Sequence, residues 1–499
     1  MKVKEAKMEI YTTKKEISAL FKPKERLICL GEEVELSNLE WCVQRLAKFS
    51  IKEFLQDRVD ESNLESSVER AVKEHLLQGQ ATTDLREHCK AMEPQLNTIC
   101  LLYRYKMWLL LLAAFAIQGI LSSRGAVPQR GNPEAYMNIS EIIRHKGYQA
   151  EEYDIVTSDG YILTLNRIPY DRKQHWNLSG KPAVLLQHGF VLEGRIWVAN
   201  MPNQSLGFML ADAGYDVWIG NNRGNSWSRK HQHLSTKQDQ YHAYSFDEMA
   251  RYDLPAMISF IVEKTRNSKI HLVGYSQGAT QGLIALSSMP HVAEKIRMFH
   301  ALAPATTIKN SQSPITKLLF LADDVIKGLL GRRDFCPRSE ILRKKVIRMC
   351  SSKIYSKLCS WGLSVIGGFN QKNLNLSRMD VYMSYCPDST SIQTLLHWGQ
   401  IHKTGQFRAF DYGNGNMERY NQDEPPSYNL EHITVPTSIW YAENDWLVNP
   451  DNVKALIDQL RSVVYKTGLS DWNHIDFIWG LDAHKRVYSP LIELISLHV

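Results

Sequence analysis

The segment Gly274-Tyr275-Ser276-Gln277-Gly278 joins an apolar run, KIHLV, to a helix-favouring run, QGATQGLIAL. A serine at an abrupt strand-to-helix turn projects its hydroxyl out of the fold, and small residues on either side keep that turn free of collisions. The helix start behind it favours the negative charge that forms when a hydroxyl attacks a carbonyl. The pattern therefore points to Ser276 as the nucleophile of an acyl transfer.

A serine hydroxyl needs a base, and that base needs an acid to orient it. In chain order both should follow the serine, the acid first. Among 17 histidines, His474 in SDWNHIDFIWG is favoured, between a strand-like VVYKTG and a terminal helix. His484 is its nearest rival, deeper in that helix. Asp445 directly follows the strand-like SIWYAEN and precedes a helix opened by Asn449-Pro450, which is the address expected of the acid. Asp451 is the rival acid, and helix capping is its alternative role. Glu443, Asp471 and Asp476 are less well placed. Two backbone amides should receive the oxyanion: that of Gln277, and that of Phe190 after the strand end LLQHG. His188-Gly189 also reads as a tight loop fixed by the histidine's hydrogen bonds.

These residues need a sheet to carry them. From Tyr148 onward, strand-like and helix-like runs alternate: the hairpin EEYDIVTSDGYILTLNRIP with its Asp159-Gly160 turn, then PAVLLQHG, YDVWIG, DEMARYDLPAMISFIVEKT, KIHLVG, MFHALAPA and PTSIWYAENDW. Such alternation predicts an α/β fold with a mostly parallel central sheet covered on both faces. Between Pro304 and about Glu431 it fails. That helical stretch is far longer than an ordinary connection and reads as a cap.

The chain has 499 residues, 44% hydrophobic and 22% charged, with a formal charge of +6. Its basic residues are dispersed, so a nucleic-acid role has no support. Among eight cysteines there is no C-x-x-C pair, which argues against a zinc site or thioredoxin-type motif. Arg104 and Lys106 precede an apolar run from Met107 to Leu121, followed by small residues, as in a secretory signal. The run is shorter than the ~20 residues of a membrane span. Four sequons, at Asn138, Asn177, Asn203 and Asn375, all lie after it. The expected organisation is an atypical helix-prone or disordered extension over 1–106, a signal peptide or uncleaved anchor over 107–125, a first core part over 126–306, a cap and lid over 307–431, and a second core part over 432–499. The C-terminus carries no retention signal.

In its phrases MNISEII, SLGFMLADAGYDVW, NRGNSWSRKH, GYSQG, ALAPA, NLSRMDVY, HWGQ and NHIDFIWGLDA, the chain from Met107 onward resembles the acid lipase family, which includes gastric and lysosomal acid lipases. The resemblance implies an α/β-hydrolase fold with a helical cap and lid. It implies cofactor-independent hydrolysis of triacylglycerols or cholesteryl esters at a lipid–water interface by an exported, glycosylated monomer, secreted or lysosomal, with no metal. It places the nucleophile on Ser276, the acid on Asp445, the base on His474 and the oxyanion amides on Phe190 and Gln277. It also implies a disulfide between Cys350 and Cys359, leaving Cys336 and Cys386 over.

Three departures bear on substrate range and rate. Tyr275 stands where the family usually has histidine, as in the branch that includes lipase member M. The loop after His188-Gly189 carries Phe190, Glu193 and Arg195. Glu443-Asn444 replaces a glycine pair before the acid. The altered loop leaves two alternatives in the same fold, an esterase for soluble esters and a catalytically weak lipid binder. An epoxide hydrolase or dehalogenase would need aspartate in place of Ser276.

Overall fold

The structure is a computed structural model that describes residues 131–172, 180–321, 323–337 and 339–498, all within one compact unit. The expected extension, the signal segment and Asn177 lie outside the described residues. No helix among those described is long and apolar enough to cross a membrane.

Alternating apolar residues build the hairpin of β1 (Glu151–Val156) and β2 (Tyr161–Ile168), antiparallel with Glu151 opposite Arg167. There follow β3 (Ala183–Gln187), β4 (Asp216–Ile219), the short β5 (Lys230–His231), β6 (Ile270–Tyr275) and β7 (Ile296–Leu302). A two-stranded ribbon of β8 (Asp334–Phe335) and β9 (Thr390–Ser391) stands apart, and β10 (Thr437–Ala442) and β11 (Val463–Leu469) complete the sheet. Its order is β1-β2-β4-β3-β6-β7-β10-β11, and the pairs from β4–β3 to β10–β11 are parallel.

The central strands β3, β4, β6, β7 and β10 are buried almost throughout, as their near-continuous apolar runs require, whereas the edge strands β1 and β11 are partly exposed. Leu185 and Leu272 pack with helices α3 (Leu254–Thr265) and α4 (Gln277–Ser288), whereas Val184, Leu186 and Val273 face α1 (Ile139–His145), α2 (Leu206–Asp212) and the terminal α10 (Ser489–Ser496). Successive strand residues point to opposite faces, so each strand feeds two cores, and each fully buried Leu or Val contributes about 1.5–3 kcal/mol. Between β7 and β10 the chain forms α5 (Asp323–Leu330), α6 (Glu340–Cys350), α7 (Tyr355–Gly367) and α8 (Ile392–Thr404), with the β8–β9 ribbon among them. The last long helix before the C-terminal strand, α9 (Pro450–Gln459), is capped by Asn449.

Two histidines lie inside this sheet. His300 on β7 contacts Ser438 Oγ at 2.8 Å and His271 Nδ1 at 3.5 Å. Burial pushes His271 down to about 4 and His300 well below its ordinary value, with nearby cationic groups adding to the effect. Because the folded value lies below the unfolded one, the unfolded chain binds more protons as pH falls. The stability tied to the neutral ring is present above pH ~6.5 and is lost toward pH ~4. His271 alone accounts for about 2 kcal/mol lost between pH 7 and pH 5. Urea unfolding at both pH values should show that this difference shrinks by about that amount in His271→Asn; an unchanged difference would refute the assignment.

Candidate active site

The sharp turn after β6 is realised at Ser276, with φ +53° and ψ −119°. This backbone is costly for a non-glycine residue, on the order of 1–3 kcal/mol, and must be held from outside. Ser276 N donates to Leu302 O at 2.9 Å, which ties the turn to the end of β7. A Cβ on Gly274 would lie 2.7 Å from the Ala279 amide, and one on Gly278 would lie 2.4 Å from Gln187 O. Backbone on both sides therefore dictates the two glycines.

Three side chains from different strand ends meet here. Ser276 Oγ lies 2.9 Å from His474 Nε2, and His474 Nδ1 lies 2.7 Å from Asp445 Oδ2. All three residues are buried. Asp445 follows β10, and its Oδ1 accepts the Leu447 and Val448 amides at 2.9 and 2.8 Å. With both oxygens engaged, the carboxylate is fixed in the orientation that receives Nδ1–H, which leaves Nε2 as the acceptor for the serine proton.

The rival residues are placed elsewhere. Asp451 pairs loosely with Lys454, Glu443 pairs with Lys454 at 3.0 Å, and Asp471 pairs with Arg486. Asp476 has a supporting role that its position in the sequence did not reveal. It accepts the Asn473 amide and the side chains of Asn370 and Asn373, so it braces the loop carrying His474. Burial pushes Asp476 up to about 6 despite these bonds. His484 opens a π-helical segment, His484–Tyr488, that runs directly into α10.

Two further supports escaped sequence reasoning. Tyr275 Oη donates to the His474 carbonyl at 2.9 Å, 199 residues away in the chain. The residue that departs from the family pattern thus anchors the backbone of His474. Gly367 O accepts the His474 amide at 3.2 Å, and Gly368, at φ +112°, accepts the Asn473 side chain. No local pattern could have signalled these long-range bonds.

The loop after β3 passes Ser276 at Gly189, the residue before Phe190. A Cβ on Gly189 would stand 3.0 Å from Ser276 Cβ. Among the described residues, neither the Phe190 nor the Gln277 amide donates to another protein group. The Gln277 side chain is turned away and accepts the Trp398 indole N–H at 2.8 Å. His188 Nε2 accepts the Asn222 amide at 3.1 Å, so Nδ1–H donates to Gly189 O at 2.9 Å, and burial pushes the ring down to about 4. Glu193 and Arg195 are fully buried and pair with each other; Glu193 also accepts the Trp227 indole N–H at 2.6 Å. These unusual loop residues face inward, which explains how the departure leaves the site's geometry intact.

Cys350 and Cys359 are bonded, linking α6 to α7 with their Cα atoms 6.0 Å apart. Cys336 and Cys386 are free; burial pushes them up to about 11 and about 12, so neither is a competing thiolate nucleophile at neutral pH. Among the described residues no group of acidic, His and Cys side chains could hold a metal ion. Of the sequons, Asn138 and Asn375 cap short helices through their side chains, and Asn203 is exposed.

Comparison with known proteins agrees with this architecture. Residues 182–481 match the family described as alpha/beta hydrolase fold, and residues 139–201 match a partial alpha/beta-hydrolase lipase region. Human lipase member M is 49% identical over 396 residues, covering 79% of this chain and 94% of its own. Human lysosomal acid lipase/cholesteryl ester hydrolase is 47% identical, covering 73% and 92%. Rat gastric triacylglycerol lipase is 45% identical, covering 78% and 100%. With this fold and these relatives, the chain belongs to the acid lipases of the α/β-hydrolase family and is an ester hydrolase.

Proposed function

We propose that the protein hydrolyses neutral lipid esters, triacylglycerols or cholesteryl esters, through an acyl-enzyme on Ser276. The observation that carries this reading is the unbroken contact from Ser276 Oγ through His474 to Asp445. His474 Nε2 takes the serine proton as Oγ bonds to the ester carbonyl carbon. The oxyanion is received by the Phe190 and Gln277 amides. The alkoxide leaves with the proton from Nε2, and water repeats the sequence in reverse to release the fatty acid.

The names of the relatives and the surface of the helical segment support a lipid substrate. Ile341, Leu342, Ile354, Leu358 and Trp361 on or beside α6 and α7 are exposed, as are Leu329 on α5 and Phe369. Large apolar side chains concentrated on one structural region mark a lipid or partner contact. Ser276 is only 6% exposed, so a long acyl chain enters when this cap, residues 307–431, moves at the lipid surface. The parent chain acts as a monomer after export to the secretory pathway, with Asn203 the best exposed of the described sequons.

The test is hydrolysis of emulsified triolein, cholesteryl oleate and a soluble butyrate ester, with Ser276→Ala as control. Turnover of the two long-chain esters above that of the butyrate ester supports the reading; turnover of the butyrate ester alone assigns a soluble-ester esterase. A second expected result concerns the cap. Replacing Ile341 and Ile354 by glutamate should lower the triolein rate about tenfold by removing apolar area from the lipid contact. Butyrate hydrolysis should be unchanged. Equal loss on both substrates would contradict a lipid-docking role.

A further inference from the structure

We propose that Asp388, in the helical segment between β7 and β10, is a positioning residue for the oxyanion amide of Phe190. The proposal rests on the assignment of that amide made above.

Asp388 touches none of the triad, yet it is joined to the loop beside it. Its backbone N–H donates to Val191 O at 2.7 Å. Val191 has φ +48°, a left-handed backbone that is an outlier for a β-branched residue and persists only when its surroundings impose it. The preceding residue is Phe190. Its ring stacks on Phe335 with centroids 5.8 Å apart and planes 13° apart. Phe335 lies on β8, opposite Thr390 on β9, two residues beyond Asp388. The ribbon and the segment leading into it therefore grip the loop at two adjacent residues, by the Phe335 ring at 190 and by the Asp388 hydrogen bond at 191.

The Asp388 side chain fixes this ribbon to the hydrolase core. The residue is 2% exposed. Its Oδ2 accepts the Ser226 amide at 2.9 Å and its Oδ1 accepts the Ser226 hydroxyl in a short contact. Ser226 precedes Trp227, whose indole N–H holds Glu193 in the same loop. Burial and the neighbouring Glu193 carboxylate push Asp388 above the usual carboxylate range. A buried carboxylate in such surroundings destabilises the fold unless its bonds are kept. Here those bonds close a circuit: Ser226 to Asp388, Asp388 to Val191, and Trp227 to Glu193. Removing the carboxylate releases Asp388 N–H from its fixed place, and the strained Val191 can relax and turn the Phe190 amide away from the oxyanion.

The test uses the full chain with Asp388→Ala, Asp388→Asn and Ser226→Ala. It reads the thermal midpoint, kcat and KM on p-nitrophenyl butyrate, and the rate of Ser276 phosphonylation by a fluorophosphonate, whose phosphoryl oxygen occupies the oxyanion site. Misplacing one donor should lower kcat about 10- to 100-fold in Asp388→Ala, with KM within about threefold and phosphonylation falling in step. Asp388→Asn should recover part of the loss, because an amide oxygen still accepts the Ser226 N–H and the hydroxyl can reorient. Ser226→Ala should show a smaller loss of kcat in the same sense. If Asp388→Ala does not fold, the other two variants decide.

A lowered thermal midpoint with unchanged kcat and phosphonylation in the folded variants would overturn the proposal and leave Asp388 as a structural anchor. Failure of the parent enzyme to be phosphonylated at Ser276 would instead overturn the active-site assignment itself, and the proposal with it.

Discussion

Replacing Ser276 by alanine should lower ester hydrolysis by on the order of 10⁶-fold, while substrate binding and thermal stability remain close to those of the parent. In the proposed mechanism the hydroxyl is the part of the side chain that bonds to the substrate and is then regenerated, and the turn is fixed by backbone: the Ser276 N–H to Leu302 O bond and the crowded glycines at 274 and 278. Alanine carries the same Cβ and removes the nucleophile alone. The His474→Ala variant should fall by a similar factor, and the double variant little further, because the two residues act as one unit through the 2.9 Å contact. Kinetics on a soluble ester with all three variants check this. Losses that multiply would show that the serine and histidine act independently and would contradict a triad.

Asp445→Asn should cost about 10⁴-fold in kcat, with the fold intact. The reason lies in how the carboxylate is used. Oδ1 faces two backbone donors, the Leu447 and Val448 amides, and Oδ2 faces His474 Nδ1. An asparagine amide must keep its oxygen toward the two N–H groups, since its NH₂ there would meet two donors. Its NH₂ then points at Nδ1, which must accept. The proton of the neutral ring moves to Nε2, where it blocks uptake of the serine proton. The pH profile distinguishes this from simple misfolding. Activity should recover in part at high pH, where hydroxide can replace the base, while the thermal midpoint changes little. A collapse of the midpoint with no pH-dependent recovery would count against the tautomer account.

The candidate site is more legible in the sequence than its supports. Ser276 was legible because its turn is encoded locally, with an apolar run before it, a helical run after it and glycines where backbone passes within 3 Å. Asp445 and His474 were legible from chain order, since each follows a strand whose end must face the same rim. The parallel sheet itself was written in short apolar runs separated by amphipathic helices.

What stayed hidden was built from contacts between residues far apart in the chain. Tyr275 looked like a departure, and its role appears only when its hydroxyl is seen on the His474 carbonyl. Asp476 is too close to His474 in sequence to read as its acid, and that nearness is what lets it brace the loop through the Asn473 amide. Glu193 and Arg195 gave no sign that they would neutralise each other inside the core. Asp388 lies in a stretch with no periodic signal, and it meets Val191 through the fold, beside the β8–β9 ribbon and held by Ser226.

The most direct measurement of the central claim is intact-mass and peptide analysis of the parent enzyme after reaction with a fluorophosphonate, alongside Ser276→Ala and His474→Ala. One adduct per chain is predicted, mapped to the peptide holding Ser276, absent from the first variant and formed far more slowly in the second. An adduct on any other residue, or none while lipid hydrolysis continues, would contradict the account.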